Sequence, residues 1–385
     1  MNKQMKIIAD ENIPFVEEAF SHFGKVITVS GRKIQRTVLE DASILLVRSV
    51  TKVNKELLEG SNIKFVASAT VGVDHIDTDY LRQYNIGFSY SPGSNAESVA
   101  EYTIAAIMHL AEKKGKSIED MMLGIIGVGN IGSKVYRFAE TLGINCLLND
   151  PPKKRLTGSD VYVPLERVLS EADIITLHVP LNTNGEDSTI QMVNSPFLSR
   201  MKKGAFLLNT SRGKIVDEKS VINGIDNLGG VVFDVWEGEP SINKEILNLV
   251  DIGTPHIAGH SYEGKLRGTK MIYDGACAYF YKKYGWNLPR GILTDIIDQI
   301  DIGSSRSPIQ DAISGTYKIS DDSARFKEKM NNENLKPAEV FDTFRKDYQH
   351  RHEFSRYRIK LSNNQKKEAQ ILAGLGFKVS VLRPE

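Results

Sequence analysis

Gly127, Gly129 and Gly132 fall between an apolar run, residues 123–127, and a stretch of helical periodicity, residues 131–142. Few features restrict a chain more, because a strand that turns into a helix on glycines must feed a βαβ unit. Each glycine has its own task. Gly127 permits a tight turn, Gly129 lets the backbone approach a ligand closely, and Gly132 lets helix and sheet pack together. Asn130 and Ile131 complete the turn, and the helix start behind them offers unpaired N–H groups to an anion. The next strand, residues 145–149, ends on Asp150, eighteen residues past Gly132. A carboxylate there accepts hydrogen bonds from a ribose diol and repels a 2′-phosphate. The spacing therefore predicts a dinucleotide site, with NAD favoured. Lys153, Lys154 and Arg155 follow closely and leave NADP open.

The same alternation runs through most of the chain. Apolar runs at 6–9, 25–29, 44–47, 65–68 and 87–90 predict strands, and residues 12–23, 54–58 and 77–84 predict helices. A long amphipathic stretch from Ser94 to about 114, with Ser94 and Glu97 spaced as a helix cap, is expected to act as a strut between two lobes. Further strands are expected at 174–177, 205–209, 231–234 and 250–253, giving six or seven in one doubly wound block. Past about 285 the texture changes. Spaced isoleucines run through 288–304, residues 336–348 read as a helix, and 358–361 and 377–381 read as strands. The expected fold is α/β: two doubly wound parallel-sheet lobes, one flavodoxin-like and one Rossmann, plus a smaller C-terminal α+β domain. The expected boundaries are 1–95 rejoined by 262–287, then 96–261, then 288–385.

Composition narrows the function. With 49 basic and 48 acidic residues the net charge is +1, so bulk electrostatics favour neither nucleic acid nor an anionic membrane. An aromatic and basic run at 344–360 reads as a solvated helix face or a subunit interface. No signal peptide or membrane span is expected, and Cys146 and Cys277, lacking metal or redox spacing, read as buried thiols of a reducing cytoplasm. No metal-ligand spacing of histidines and carboxylates is present, and no metal is expected.

Three distant runs supply reactive groups: Asn209-Thr-Ser-Arg212-Gly, Asp234-Val-Trp-Glu-Gly-Glu239-Pro and Pro255-His256-Ile-Ala-Gly259. An arginine can grip a carboxylate with two parallel bonds. An imidazole can take a hydroxyl proton while hydride leaves the same carbon, and an acid behind it steadies the imidazolium. Glu237 and Glu239 both qualify as that acid. Arg48, Ser49 and Lys52, after the 44–47 strand, offer cations and a hydroxyl to a phosphate, and Thr70 and Gly72 offer donors to a carboxylate.

With the run Ser68-Ala-Thr-Val-Gly-Val-Asp-His-Ile-Asp77 and the glycine turn, these motifs make residues 40–265 resemble the D-2-hydroxyacid dehydrogenase family. The resemblance implies NAD-dependent oxidation of a hydroxy acid. It assigns Arg212 to the carboxylate clamp, selects Glu239 over Glu237, and makes His256 the proton acceptor. It implies substrate contacts from Ser49 and Thr70, and cofactor contacts from Asp150, Val179, Asp234 and Gly259. His260 stands on the substrate side where the family usually has tyrosine. Val47-Arg-Ser-Val-Thr-Lys-Val-Asn54, the 252–265 segment and Phe341-Asp-Thr-Phe-Arg-Lys-Asp-Tyr348 are similar to members that act on a phosphorylated acid and carry a C-terminal dimerisation module. The implied assembly is a homodimer, with lobes that close by a hinge over the active site. Two alternatives stay open: another acid of the class, such as 3-phosphoglycerate, and a non-catalytic scaffold that senses NADH.

Overall fold

The computed structural model describes residues 5–283, 285–348 and 351–381. The chain forms two compact units, one of residues up to Asn95 with His260–Asp295, the other of Ala96–Gly259 with the residues from Ile296 onward.

Five strands build the first unit: β1 (Met5–Asp10), β2 (Gly24–Val29), β3 (Ala42–Val47), β4 (Phe65–Ser68) and β5 (Gly87–Tyr90). All pair in parallel in the order β2-β1-β3-β4-β5. That is the flavodoxin-like winding. Neighbouring side chains divide between two cores, Ile7 and Ala9 on one face and Ile8 on the other, then Ile44 and Leu46 against Leu45 and Val47. Burial on both faces explains why these strands read as unbroken apolar runs. Helix Tyr262–Tyr279 covers one face with Ile272, Tyr273, Ala276 and Cys277. The helix expected at 12–23 shrinks to Val16–Phe20. Asp10 draws the Asn12 amide into a turn at 2.8 Å, and Phe15 takes a left-handed φ of 56°.

The second unit holds a six-stranded parallel sheet of β6 (Met122–Ile126), β7 (Asn145–Asn149), β8 (Ile174–Leu177), β9 (Phe206–Asn209), β10 (Gly230–Phe233) and β11 (Ile252–Gly253). Its order is β11-β10-β9-β8-β6-β7. Beyond β7 a single parallel bridge joins Leu148 to Tyr162, so the outer strand of a full Rossmann sheet is reduced to one pairing. Helix Ala96–Lys113 is almost wholly buried in this unit's core. Glu97 does not close a cap on Ser94; its carboxylate takes Lys134 at 2.5 Å and Arg137 at 2.6 Å, two cations one turn apart on the next helix.

The C-terminal residues add a sheet of β12 (Asp298–Asp301), β13 (Tyr357–Leu361) and β14 (Lys378–Val381), again all parallel. Helices Pro308–Thr316, Ile319–Asn331 and Pro337–Lys346 make the first crossover, and Lys366–Gly374 the second. Ile313, Phe354, Ile359, Leu361 and Leu372 share a core with Ala106, Leu123 and Phe138 of the dinucleotide domain. The module begins at Ile296, not 288, because Trp286 and Leu288 still pack in the first unit's core. Of the two readings of the 344–360 run, a solvated face does not hold for Arg351 and Arg356, which are 7 % and 5 % exposed, while Arg358 is exposed; residues 349 and 350 lie outside those described. Among the described residues no helix is long and apolar enough to cross a membrane.

Candidate active site

Every reactive motif follows the carboxyl end of a strand in the second unit's sheet, the edge where open α/β folds bind ligands. Gly127 leaves β6 with φ 87°, and a side chain there would lie 2.7 Å from the His178 carbonyl and from Val179. A Cβ on Gly132 would meet the Gly127 oxygen at 2.0 Å, so close packing requires glycine. At Gly129, by contrast, an added Cβ meets nothing within 4 Å, and Gly129 and Asn130 are exposed. The open space sits at the start of helix Gly132–Thr141, where a pyrophosphate fits.

Asp150 is the N-cap of helix Pro151–Thr157. One of its oxygens accepts the Lys153 amide at 3.0 Å and the other the Val128 amide at 2.9 Å. It ties the turn to the next strand and keeps acceptor capacity for a diol. The cations that left NADP open are committed elsewhere. Lys153 bonds the Val128 carbonyl, Lys154 pairs with Asp160 at 2.7 Å, and Arg155 reaches Asp187 and Glu186.

A histidine and an acid meet at the carboxyl edge of the same sheet. His256 Nδ1 stands 2.9 Å from Glu239 Oε2, and Glu239 Oε1 accepts the Trp236 amide at 2.9 Å. Burial pushes the Glu239 carboxyl up, but the His256 charge and hydrogen bond, with the Trp236 amide, outweigh it and hold the group below its usual range. An ionised Glu239 only accepts, so Nδ1 donates to it, and the lone pair of the neutral ring then falls on Nε2. Glu237 is exposed, and its amide donates to Glu218.

Asp234 fixes the histidine turn. Its carbonyl accepts the His256 amide at 2.6 Å, Oδ1 the Ile257 amide at 2.7 Å, and Oδ2 the Ala258 amide at 2.9 Å. These bonds hold His256 at a left-handed φ of 57°, a conformation a non-glycine residue keeps only when its surroundings enforce it. Asp234 is 1 % exposed and also accepts the Thr254 hydroxyl at 2.7 Å, so it serves first as scaffold.

Arg212 follows β9 in extended conformation, half-buried, with Nη1 donating to the Ser211 carbonyl at 2.7 Å. The next residue brings it to the acid loop: a Cβ on Gly213 would lie 1.9 Å from the Trp236 carbonyl. Two backbones are pressed together there, with Arg212 leading one and Glu239 ending the other. His178 is buried between Thr176 Oγ1 at 3.0 Å and Thr210 Oγ1 at 3.4 Å, and burial lowers its pKa to about 3. It stays neutral and presents its backbone to the glycine turn.

The remaining expected residues lie in the first unit. Arg48 and Ser49 follow β3, half-buried and exposed respectively, while Lys52 is exposed. Thr70 follows β4, pairs with the Ser68 hydroxyl at 2.7 Å and donates to the Gly72 carbonyl at 3.2 Å. His75 Nε2 meets the same Ser68 hydroxyl at 3.0 Å, a structural role. Half-buried His260 directly precedes Ser261, the N-cap of helix Tyr262–Tyr279. One residue was missed. Lys265, on the first turns of that helix, is brought down to about 8 by burial and by the Arg48 charge. A desolvated cation beside a second one carries a cost that an anion between them would offset.

Comparisons with known proteins agree with this geometry. Residues 97–258 match the NAD-binding domain of D-isomer specific 2-hydroxyacid dehydrogenases, and 296–376 match a domain of unknown function, DUF3410. An NAD- and lactate-bound D-lactate dehydrogenase of Aquifex aeolicus superposes with a TM-score of 0.61 at 28 % identity, over 72 % of this chain and 95 % of that one. Erythronate-4-phosphate dehydrogenases are similar end to end. That of Chromohalobacter salexigens is 37 % identical over 98 % of this chain and 99 % of its own. That of Cronobacter sakazakii is 39 % identical over 97 % and 98 %. The protein of the same name from Salinibacter ruber reaches 47 % over 71 % of each chain. A parallel sheet with a glycine turn, a histidine–glutamate pair and relatives of this extent leave one conclusion: the chain is an NAD-dependent dehydrogenase of the D-2-hydroxyacid family and belongs among its erythronate-4-phosphate dehydrogenases.

Proposed function

We propose that this chain oxidises 4-phospho-D-erythronate to 2-oxo-3-hydroxy-4-phosphobutanoate, a step toward pyridoxal 5′-phosphate, acting as a cytoplasmic homodimer joined through its C-terminal module. The observation that carries the reading is the His256–Glu239 pair at 2.9 Å, joined to the Arg212 loop by the Gly213 seam. Arg212 takes the substrate carboxylate in a fork of two N–H bonds and so sets which face of C2 is presented. His256 Nε2 accepts the C2 hydroxyl proton. Glu239 holds the ring through Nδ1 and stabilises the imidazolium. NAD, when bound, would supply the hydride acceptor; Gly127, Gly129, Asn130, Ile131 and Gly132 would hold its phosphates, Asp150 its ribose, and Val179 and Gly259 are further candidate contacts. Asp234 acts from behind by shaping the histidine turn. Within the first unit, Arg48 and Lys265 are the candidates for a phosphate, with Ser49, Thr70 and His260 as further substrate-binding candidates.

Purified protein assayed by NADH absorbance tests the reading. The expected order of kcat/KM is 4-phospho-D-erythronate well above D-3-phosphoglycerate, with D-lactate last. A preference for an unphosphorylated acid would overturn the phosphate assignment. His256→Ala should lower kcat by about 10²- to 10⁴-fold, the usual span for a general base. Full turnover in that variant would remove His256 from the role of general base. Light scattering should return twice the chain mass.

A further inference from the structure

The C-terminal module places a buried cation on the back of the histidine turn. Arg351 is 7 % exposed, and its Nη2 donates to the Ala258 carbonyl at 2.5 Å and the Ser98 carbonyl at 2.9 Å, with a third contact to the Ser98 hydroxyl. Ser98, on helix Ala96–Lys113, donates from Oγ to the same Ala258 oxygen at 2.8 Å. The guanidinium lies over the Tyr317 ring, 4.4 Å from its centre. One turn along the helix from Ser98, the buried carboxyl of Glu101 accepts the Phe354 amide at 2.8 Å, three residues past Arg351. Ala258 is two residues from His256, and its amide is the one held by Asp234 Oδ2. Ala258 is thus held through both of its backbone polar groups, N–H by Asp234 and C=O by Arg351 and Ser98.

A cation with no access to water is costly unless its neighbours justify it. For stability alone, a hydrophobic side chain over Tyr317 would serve. The partners are instead the Ala258 carbonyl on the histidine turn and the carbonyl and hydroxyl of Ser98, the residue that bonds the same Ala258 oxygen. We infer that Arg351 is a positioning residue for the dehydrogenase reaction: through Ala258 it holds His256 and Gly259 in register, which gives the DUF3410 module a part in catalysis. The inference rests on His256 as the base. Reaction rates are steep in such placement, since about 1 Å of error costs about 100-fold.

The test compares full-length wild type, Arg351→Met, Arg351→Lys, Ser98→Ala and His256→Ala, with thermal unfolding and light scattering for each. In Arg351→Met, kcat should fall about 10- to 100-fold, while KM for NAD and for substrate stays within about threefold. Arg351→Lys, which keeps the charge and one bond, should recover part of kcat. Ser98→Ala, which removes a single hydroxyl, should lower kcat by about threefold to tenfold with native melting, and it keeps the idea testable should Arg351→Met fail to fold. Native kcat in folded Arg351→Met or Ser98→Ala overturns the inference. So does a kcat loss that vanishes at protein concentrations restoring the native mass, since that would mark an assembly defect. If His256→Ala keeps full turnover, the functional reading itself has failed.

Discussion

Lys265 shows how much a residue's meaning depends on what folds against it. Read in sequence it is one lysine of a helix start; folded, burial and the Arg48 charge bring its pKa down to about 8. A bound phosphate dianion raises that value again, so binding above pH 8 must take up a proton. Affinity therefore falls as pH climbs past 8 and is flat below it. KM for 4-phospho-D-erythronate, measured from pH 7 to 9.5, should rise in wild type. In Lys265→Met it should be higher throughout and nearly free of this slope; an unchanged slope would remove Lys265 from the phosphate site. Arg212 answers to a different measurement. Arg212→Lys keeps the charge and loses the fork, so kcat/KM should drop by about 10- to 100-fold, the worth of one charged hydrogen bond. Wild-type kinetics in Arg212→Lys would exclude a bidentate clamp. Arg212, Glu239 and His256 could be singled out in sequence because each sits in a short motif whose residue types already state a chemistry. The scaffold role of Asp234 could not, because it lies in backbone amides that have no sequence letter. Arg351 was hidden by its surroundings: an aromatic and basic run looks like surface until Tyr317 and Glu101 arrive from elsewhere.

Among the elements, the glycine turn separates folding from binding. A methyl group on Gly132 has backbone oxygen 2.0 Å away, whereas one on Gly129 has open space. Gly129→Ala should therefore melt like wild type yet raise KM for NAD by about tenfold or more, as the methyl enters the pyrophosphate's place. Gly132→Ala should lose stability by several kcal/mol, the scale of backbone displacement in a packed turn. Thermal melts with and without NAD decide both; equal melting of the two variants would refute the division of roles. Strands with both faces buried were readable to within a residue or two, since their apolar runs have no competing period. β12 was not, because it is an edge strand in which only Ile300 is even half-buried. Tyr162 marks the other failure, an edge strand cut down to one bridge.

At the scale of the whole chain, the C-terminal module is structural before it is an interface. Its Ile313, Phe354, Ile359, Leu361 and Leu372 complete a core begun by helix Ala96–Lys113 and β6. Each such side chain stabilises by about 1.5–3 kcal/mol when buried. A few of them rival a total stability of about 5–15 kcal/mol. A chain ending at Asp295 should aggregate or bind hydrophobic dyes rather than yield an active monomer, as expression yield and near-UV circular dichroism would show. A cooperative native-like melt from that fragment would return the module to a purely peripheral place. Two doubly wound units were foreseeable from strand and helix alternation alone. The merging of the third module was not, because shared cores are made by residues far apart in sequence.

The seam at Gly213 carries a lesson about descent. With no room for even a methyl group against Trp236, the arginine loop and the acid loop cannot lengthen or drift separately. On the proposed reading, a lineage acquiring a new diet has its freedom around Arg48 and Lys265, outside this seam. Change of taste and preservation of chemistry are thereby assigned to different stretches of one gene.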